Sequence, residues 1–126
     1  MNRRVRQIIG DLGRERGRNN ENRVWQLVNN CRSLWPEWFQ GARLASKIED
    51  RKRIDLVAMS DVGKLFFQIK SSEAGRKKFE SQRHRLPIEL IVVKNTDTDP
   101  VLYQKVLAAA GRLRDRFLAK RNRGTL

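Results

Sequence analysis

An α/β architecture, in the order helix, three strands, helix, strand, helix around a central mixed sheet, follows from three features of the chain. Residues 54–59 and 64–70 are apolar segments joined by Ser60-Asp61-Val62-Gly63, a turn signal in which glycine supplies a positive φ, so the pair reads as a hairpin. Both faces of that hairpin are largely apolar, with Leu65, Phe67 and Ile69 on one and Val57, Met59 and Phe66 on the other. This is the pattern of central strands covered on both sides. Helical periodicity flanks the hairpin at Val24, Leu27, Val28 and Cys31, and again at Leu102, Val106, Ala109, Leu113 and Phe117.

Taken in order, residues 1–19 are dominated by Arg, Asn and Gly around a short apolar patch of Val5, Ile8, Ile9 and Leu12, and read as a basic arm. The first helix is expected from about Asn20 to Leu34, with Asn19 or Asn20 as its cap. Cys31 lies in its apolar stripe and reads as a small buried core residue; as the single cysteine it excludes an internal disulfide. Pro36 closes this region, and Trp35, Trp38 and Phe39 form an aromatic cluster expected to pack under the next loop. Residues 41–47 read as a short first strand, and Glu49 to Arg53 as a charged connection to the hairpin. After it, Ser71-Ser72-Glu73 opens a polar helix running to about His84, with Ala74 and Phe79 as its apolar side. Pro87 precedes a fourth strand at Ile88 to Val93, rich in branched residues. Asp99 followed by Pro100 marks the start of the last helix, and residues 120–126 read as a frayed basic tail.

The length, 126 residues, suits one domain, spanning residues 1–126. Lys and Arg number 28 against 14 for Asp and Glu, a formal net charge of +14. Such an excess calls for a polyanionic partner: nucleic acid first, through phosphate neutralisation and counterion release, and acidic lipid second. No apolar run approaches the roughly 20 residues that span a bilayer, and Met1 to Arg6 lacks the apolar stretch of a signal peptide. An intracellular location, with no membrane partner, is the expectation.

Polar groups interrupt the apolar hairpin at Asp55, Gln68 and Lys70. Buried polar groups are costly unless something uses them. A turn centred between Asp61 and Val62 sets Asp55 directly across from Gln68, and strand alternation puts Lys70 on the same face. Carboxylate, amide and ammonium then converge at one end of the hairpin, an arrangement suited to a hard cation beside a fixed positive charge. Glu21 lies at the end of the helical stripe that faces the sheet, within reach of the hairpin. Each has a plainer explanation. Asp55 can be satisfied by backbone amides or Arg53, Lys70 can emerge into solvent, and Glu21 can simply favour the helix N-terminus. Arg14, Arg16, Arg18, Lys47, Arg51, Lys52 and Arg53 flank one side of these residues, and Arg76, Lys77 and Lys78, with Arg83 and Arg85 further on, the other. Phosphate contact is the functional reading and a solvated face the plain one. His84, the sole histidine, has no partner for a zinc site or a triad.

Asp55…Gln68-x-Lys70, set in this order of elements behind Glu21-Asn22-Arg23-Val24, resembles the PD-(D/E)xK nuclease superfamily over roughly residues 17–95. Archaeal Holliday-junction resolvases and Mrr-type restriction enzymes are the members it is most similar to. The resemblance implies a restriction-endonuclease-like core and a Mg²⁺-dependent endonuclease acting on duplex or branched DNA, with Mn²⁺ able to substitute. Asp55 would then be the central metal ligand, with the Ile69 carbonyl, the Gln68 amide oxygen and Glu21, directly or through water, completing the site. Lys70 would orient the attacking water or stabilise charge on the scissile phosphate. Two departures stand out: Ile54 occupies the place of the name-giving proline, and Gln68 that of the usual acid, removing one negative charge. Gln-x-Lys is a recurrent variant in the Mrr-type enzymes. The resemblance also implies a homodimer, with Val5, Ile8 and Ile9, or a last-helix face with Tyr103 and Leu107, as interface. The competing readings are a nuclease-fold protein that binds nucleic acid without cutting it, and a basic RNA-packaging protein. The latter explains the charge but not the convergence of Asp55 and Lys70.

Overall fold

A computed structural model describes residues 19–81 and 86–124. Helix α1 (residues 19–30) leads through a 3-10 turn, Arg32–Leu34, into strand β1 (Phe39–Leu44), a short helix α2 (Lys47–Arg51), and the hairpin β2 (Leu56–Ser60) and β3 (Gly63–Lys70). Helix α3 (Glu73–Ser81), strand β4 (Ile88–Val92) and the long helix α4 (Asp99–Gly124) complete the chain. The sheet order is β1-β2-β3-β4, antiparallel except for the parallel pair β3 and β4, so the sheet is mixed as expected.

Alternation in β3 builds two cores. Leu65, Phe67 and Ile69 join Leu56, Ala58 and Ile91 under α1 and α4, which contribute Val24, Val28, Leu102, Val106 and Leu113. On the opposite face Ile54, Val57 and Ile88 pack with Met59, Phe66 and Phe79 of α3. Phe67 and Leu65 are wholly buried, each stabilising the fold by about 2–3 kcal/mol. The hairpin turn is Asp61-Val62, closed by Gly63 at φ +110°, and the Ser60 hydroxyl donates to the Gly63 carbonyl at 2.8 Å. In β1 a bulge between Phe39 and Gly41 leaves Gly41 at φ +124°, with the Trp35 ring packed over it.

Several expectations change. Strand β1 starts at Phe39 and stops at Leu44, because Phe39 is a core residue rather than part of a loop-covering cluster; its ring still meets Trp35 and Trp38 edge-on. The charged connection is the helix α2, nucleated by a reciprocal capping box between Ser46 and Glu49. Cys31 is only half-buried, since α1 ends one residue before it. Asn19 is already helical, so the start of α1 lies outside the described residues, as does the arm at residues 1–18. Ala74 is exposed and Phe79 alone anchors the apolar side of α3. Thr98, not Asp99, caps α4, its hydroxyl accepting from the Val101 amide. That helix continues through Gly124, so residues 120–124 are ordered helix rather than a frayed tail. Tyr103 is buried and Leu107 is partly buried against the core; Val5, Ile8 and Ile9 lie outside the described residues. No helix among the described residues is long and apolar enough to cross a membrane.

Candidate functional site

The hairpin keeps its expected register from Leu56 opposite Phe67 to Ser60 opposite Gly63, but Asp55 steps off the ladder. Its amide bonds the Phe67 carbonyl at 2.8 Å while its own carbonyl accepts from the Ala45 amide at 3.2 Å. The two groups point towards opposite neighbours, so the backbone bends at Asp55. It is therefore not the ladder partner of Gln68. Instead the Asp55 carboxylate accepts the Ile69 backbone N–H at 2.7 Å. In β geometry the N–H and C=O of one residue point the same way, which turns the Ile69 carbonyl towards the same side of β3.

What bends the chain is α2. Ile54 and Arg53 close that helix, their amides bonding the carbonyls of Glu49 and Asp50 at 3.1 and 2.9 Å, with Arg53 in the left-handed region at φ +67°. A non-glycine residue there is strained. Arg43 of β1 clamps Glu49 with two bonds, at 2.6 and 3.0 Å, and holds its carboxyl down at about 2. A depressed carboxylate stabilises the fold above its ordinary value of 4.5 and loses that contribution as pH falls towards 2. Glu49→Gln is accordingly expected to lower stability near neutrality by about 1 kcal/mol, the gap to wild type narrowing in urea titrations as the pH drops through this window.

Glu21 is carried to Asp55 by α1. Arg23 ties the start of that helix to the Asp97 carbonyl at 2.7 Å, and Trp25 and Asn29 both donate to the Ala42 carbonyl of β1 at 3.2 Å. Glu21 and Asp55 line one cleft of about 440 Å³, together with Leu44, Lys47 and Asp50, close enough for the Glu21 carboxyl to act on that of Asp55. Burial pushes the Asp55 carboxyl up; the Ile69 amide opposes this, the Asp50 charge adds to it, and the Lys70 ammonium and Glu21 pull back. Lys70 thus lies within electrostatic reach of Asp55.

Gln68 is buried, and its Oε1 has no hydrogen-bond partner among the described residues. It is absent from the lining of the Glu21–Asp55 cleft. Among the described residues no three His, Cys, Asp or Glu side chains gather as a metal-binding group. The oxygens whose chemistry suits a hard cation are the two carboxylates at the cleft and the Ile69 carbonyl turned towards Asp55, while the unpartnered Gln68 amide oxygen is buried outside the cleft lining. Over Lys70 lies Gly75 of α3, where an added Cβ would stand 3.0 Å from the Lys70 Cβ and Cγ. Gly75→Ala is expected to push the Lys70 stem away from Asp55 while stability stays within about 1 kcal/mol, readable as an altered Asp55 carboxyl titration by NMR with a nearly unchanged urea midpoint.

Of the basic residues, Lys47, Arg51, Lys52 and Arg53 are exposed, and Lys47 lines this cleft. Arg76, Lys77 and Lys78 are exposed on α3, with Arg76 paired to Glu73 at 3.0 Å. Arg14, Arg16, Arg18, Arg83, His84 and Arg85 lie outside the described residues. Asp50 was missed by the sequence reading, because in a loop it has no fixed direction; the Ser46-x-x-Glu49 capping signature was the available signal. Comparison with protein-family models, with curated proteins and with solved structures gives no significant match.

Proposed function

We propose that this chain is a Mg²⁺-dependent endonuclease that hydrolyses phosphodiester bonds in duplex or branched DNA. The observation that carries this reading is the Glu21–Asp55 carboxyl pair, held against the Ile69 amide within reach of the Lys70 charge. Carboxylates repel phosphates, so an acidic pair in the cleft of a chain of net charge +14 serves a polyanion only with a cation between them. Asp55, Glu21, the Ile69 carbonyl and Gln68 Oε1 are the groups that would hold Mg²⁺ or Mn²⁺. Such an ion supplies Lewis acidity at the phosphate and lowers the pKa of water. Asp55 is fixed in direction by the Ile69 N–H, Glu21 completes the acidic pair, and Lys70, its stem against Gly75, donates to a phosphate oxygen as charge builds there. Lys47, Arg51, Lys52 and Arg53 on one side, with Arg76, Lys77 and Lys78 on the other, hold the DNA backbone. A homodimer would set two such sites on the two strands.

Gln68 in place of an acid favours a second reading, a nucleic-acid binder that keeps the scaffold without cutting. Incubation with four-way junctions and linear duplex in Mg²⁺ or Mn²⁺ separates the two. Cleavage by wild type, lost in Asp55→Ala and reduced about 10²-fold or more in Lys70→Ala, is the outcome expected for an endonuclease. DNA binding with no cleavage by wild type in either metal leaves only the binder.

A further inference from the structure

Helix α2 carries an apolar side chain where solvent exposure has no folding rationale. Ile48 is 67% exposed, and α2 buries none of its residues. Helical spacing puts Arg51 and Lys52, at i+3 and i+4, on the same outward face as Ile48, while Glu49 turns to Arg43 and Asp50 to the cleft. The helix is held rigidly by its capping box at one end and the left-handed Arg53 at the other. One step away in sequence, Lys47 lines the same cleft as Asp55 and Glu21.

We propose that Ile48 is a wedge that enters a base step of the nucleic acid next to the phosphate held at the Asp55 cleft. An exposed aliphatic side chain sharing its helix face with Arg51 and Lys52 is poorly suited to an apolar protein partner, because docking one would desolvate these cations without pairing them. Against DNA the same surroundings are complementary: the cations take the backbone phosphates and the aliphatic group takes the space between unstacked bases. This rests on the endonuclease reading and adds a substrate class to it, DNA whose stacking is already weak, at a branch point or a flexible step.

The test uses 2-aminopurine, whose emission rises on unstacking, placed beside the branch of a four-way junction and at the centre of a linear duplex. Full-length Asp55→Asn protein, unable to cleave, is compared with the same protein also carrying Ile48→Ser. The expected result is an emission increase on binding that Ile48→Ser removes, with DNA affinity weakened less than about tenfold and Tm unchanged. Equal emission from both proteins overturns the wedge while leaving the endonuclease reading intact. A lower Tm, or a dimer converted to monomer in light scattering, also overturns it, by assigning Ile48 to packing or to a second copy of the chain. DNA binding by neither protein overturns the wedge and the endonuclease reading together.

Discussion

Asp55→Asn is expected to abolish the proposed metal-dependent cleavage and to raise the Tm at neutral pH. The two effects have one cause. The carboxyl is half-buried and faces the Asp50 charge, and these outweigh the Ile69 amide, Lys70 and Glu21, so the folded protein holds its proton more tightly than the unfolded chain does. When the folded state binds more protons, stability falls as pH rises through the window from the ordinary Asp value to the raised one, and it stays lower above. Near neutrality the ionised group is therefore a burden on the fold. Asn is nearly isosteric, and its Oδ1 still accepts the Ile69 N–H, so the bend at the start of β2 is kept while the like-charge repulsion is lost. The gain is roughly 1 kcal/mol, a few degrees in Tm, against a loss of essentially all turnover, since the amide cannot supply the charge that holds a divalent cation. Thermal melts of both proteins at neutral pH and in acid give the check: the difference should shrink in acid, where wild-type Asp55 is neutral too. Equal Tm values at neutral pH would show that Asp55 carries no such strain.

That trade of stability for charge was partly legible in the sequence. The hairpin could be read because apolar side chains alternate on both faces and Gly63 marks the turn, and its ladder runs in the expected register. Helices α1 and α4 could be read because each buries a stripe. Helix α2 could not be read by periodicity, since it buries nothing and lies in a run of charges; only its cap betrays it. The consequence reaches the site. A flexible charged loop would have let Asp55 continue the strand opposite Gln68, whereas a short helix closed by Arg53 delivers the chain at an angle, taking Asp55 off the ladder and towards Glu21. Alternation in β3 fixes Lys70 on the same face as Gln68, but its reach to Asp55 depends also on the bend that brings Asp55 to the Ile69 amide. Glu21 was placed by helical phase, and the Arg23, Trp25 and Asn29 bonds that fix α1 are long-range contacts that no local pattern encodes.

Gln68→Glu is expected to turn an apo-stable protein into a metal-dependent one. Gln68 is 7% exposed, with its Oε1 unpartnered. A carboxylate there is buried on the face where alternation also puts Lys70, with no donor given to it, and the penalty for an uncompensated buried charge is about 3 kcal/mol. In chelator the variant should therefore melt well below wild type. If Gln68 Oε1 is a metal ligand, the new charge is what the cation lacks, so Mn²⁺ affinity rises and binding restores stability; metal at about 100 times its Kd recovers about 2.7 kcal/mol. The Tm of Gln68→Glu should then climb steeply with Mn²⁺ while that of wild type moves less. The competing geometry, with Gln68 buried under α3 and remote from Asp55, makes an opposite forecast: the same loss of Tm in chelator, and no more recovery with Mn²⁺ than wild type shows. Asp55→Asn combined with Gln68→Glu sharpens the contrast, because removing the shared ligand should cancel the Mn²⁺ response only if the two residues grip one ion.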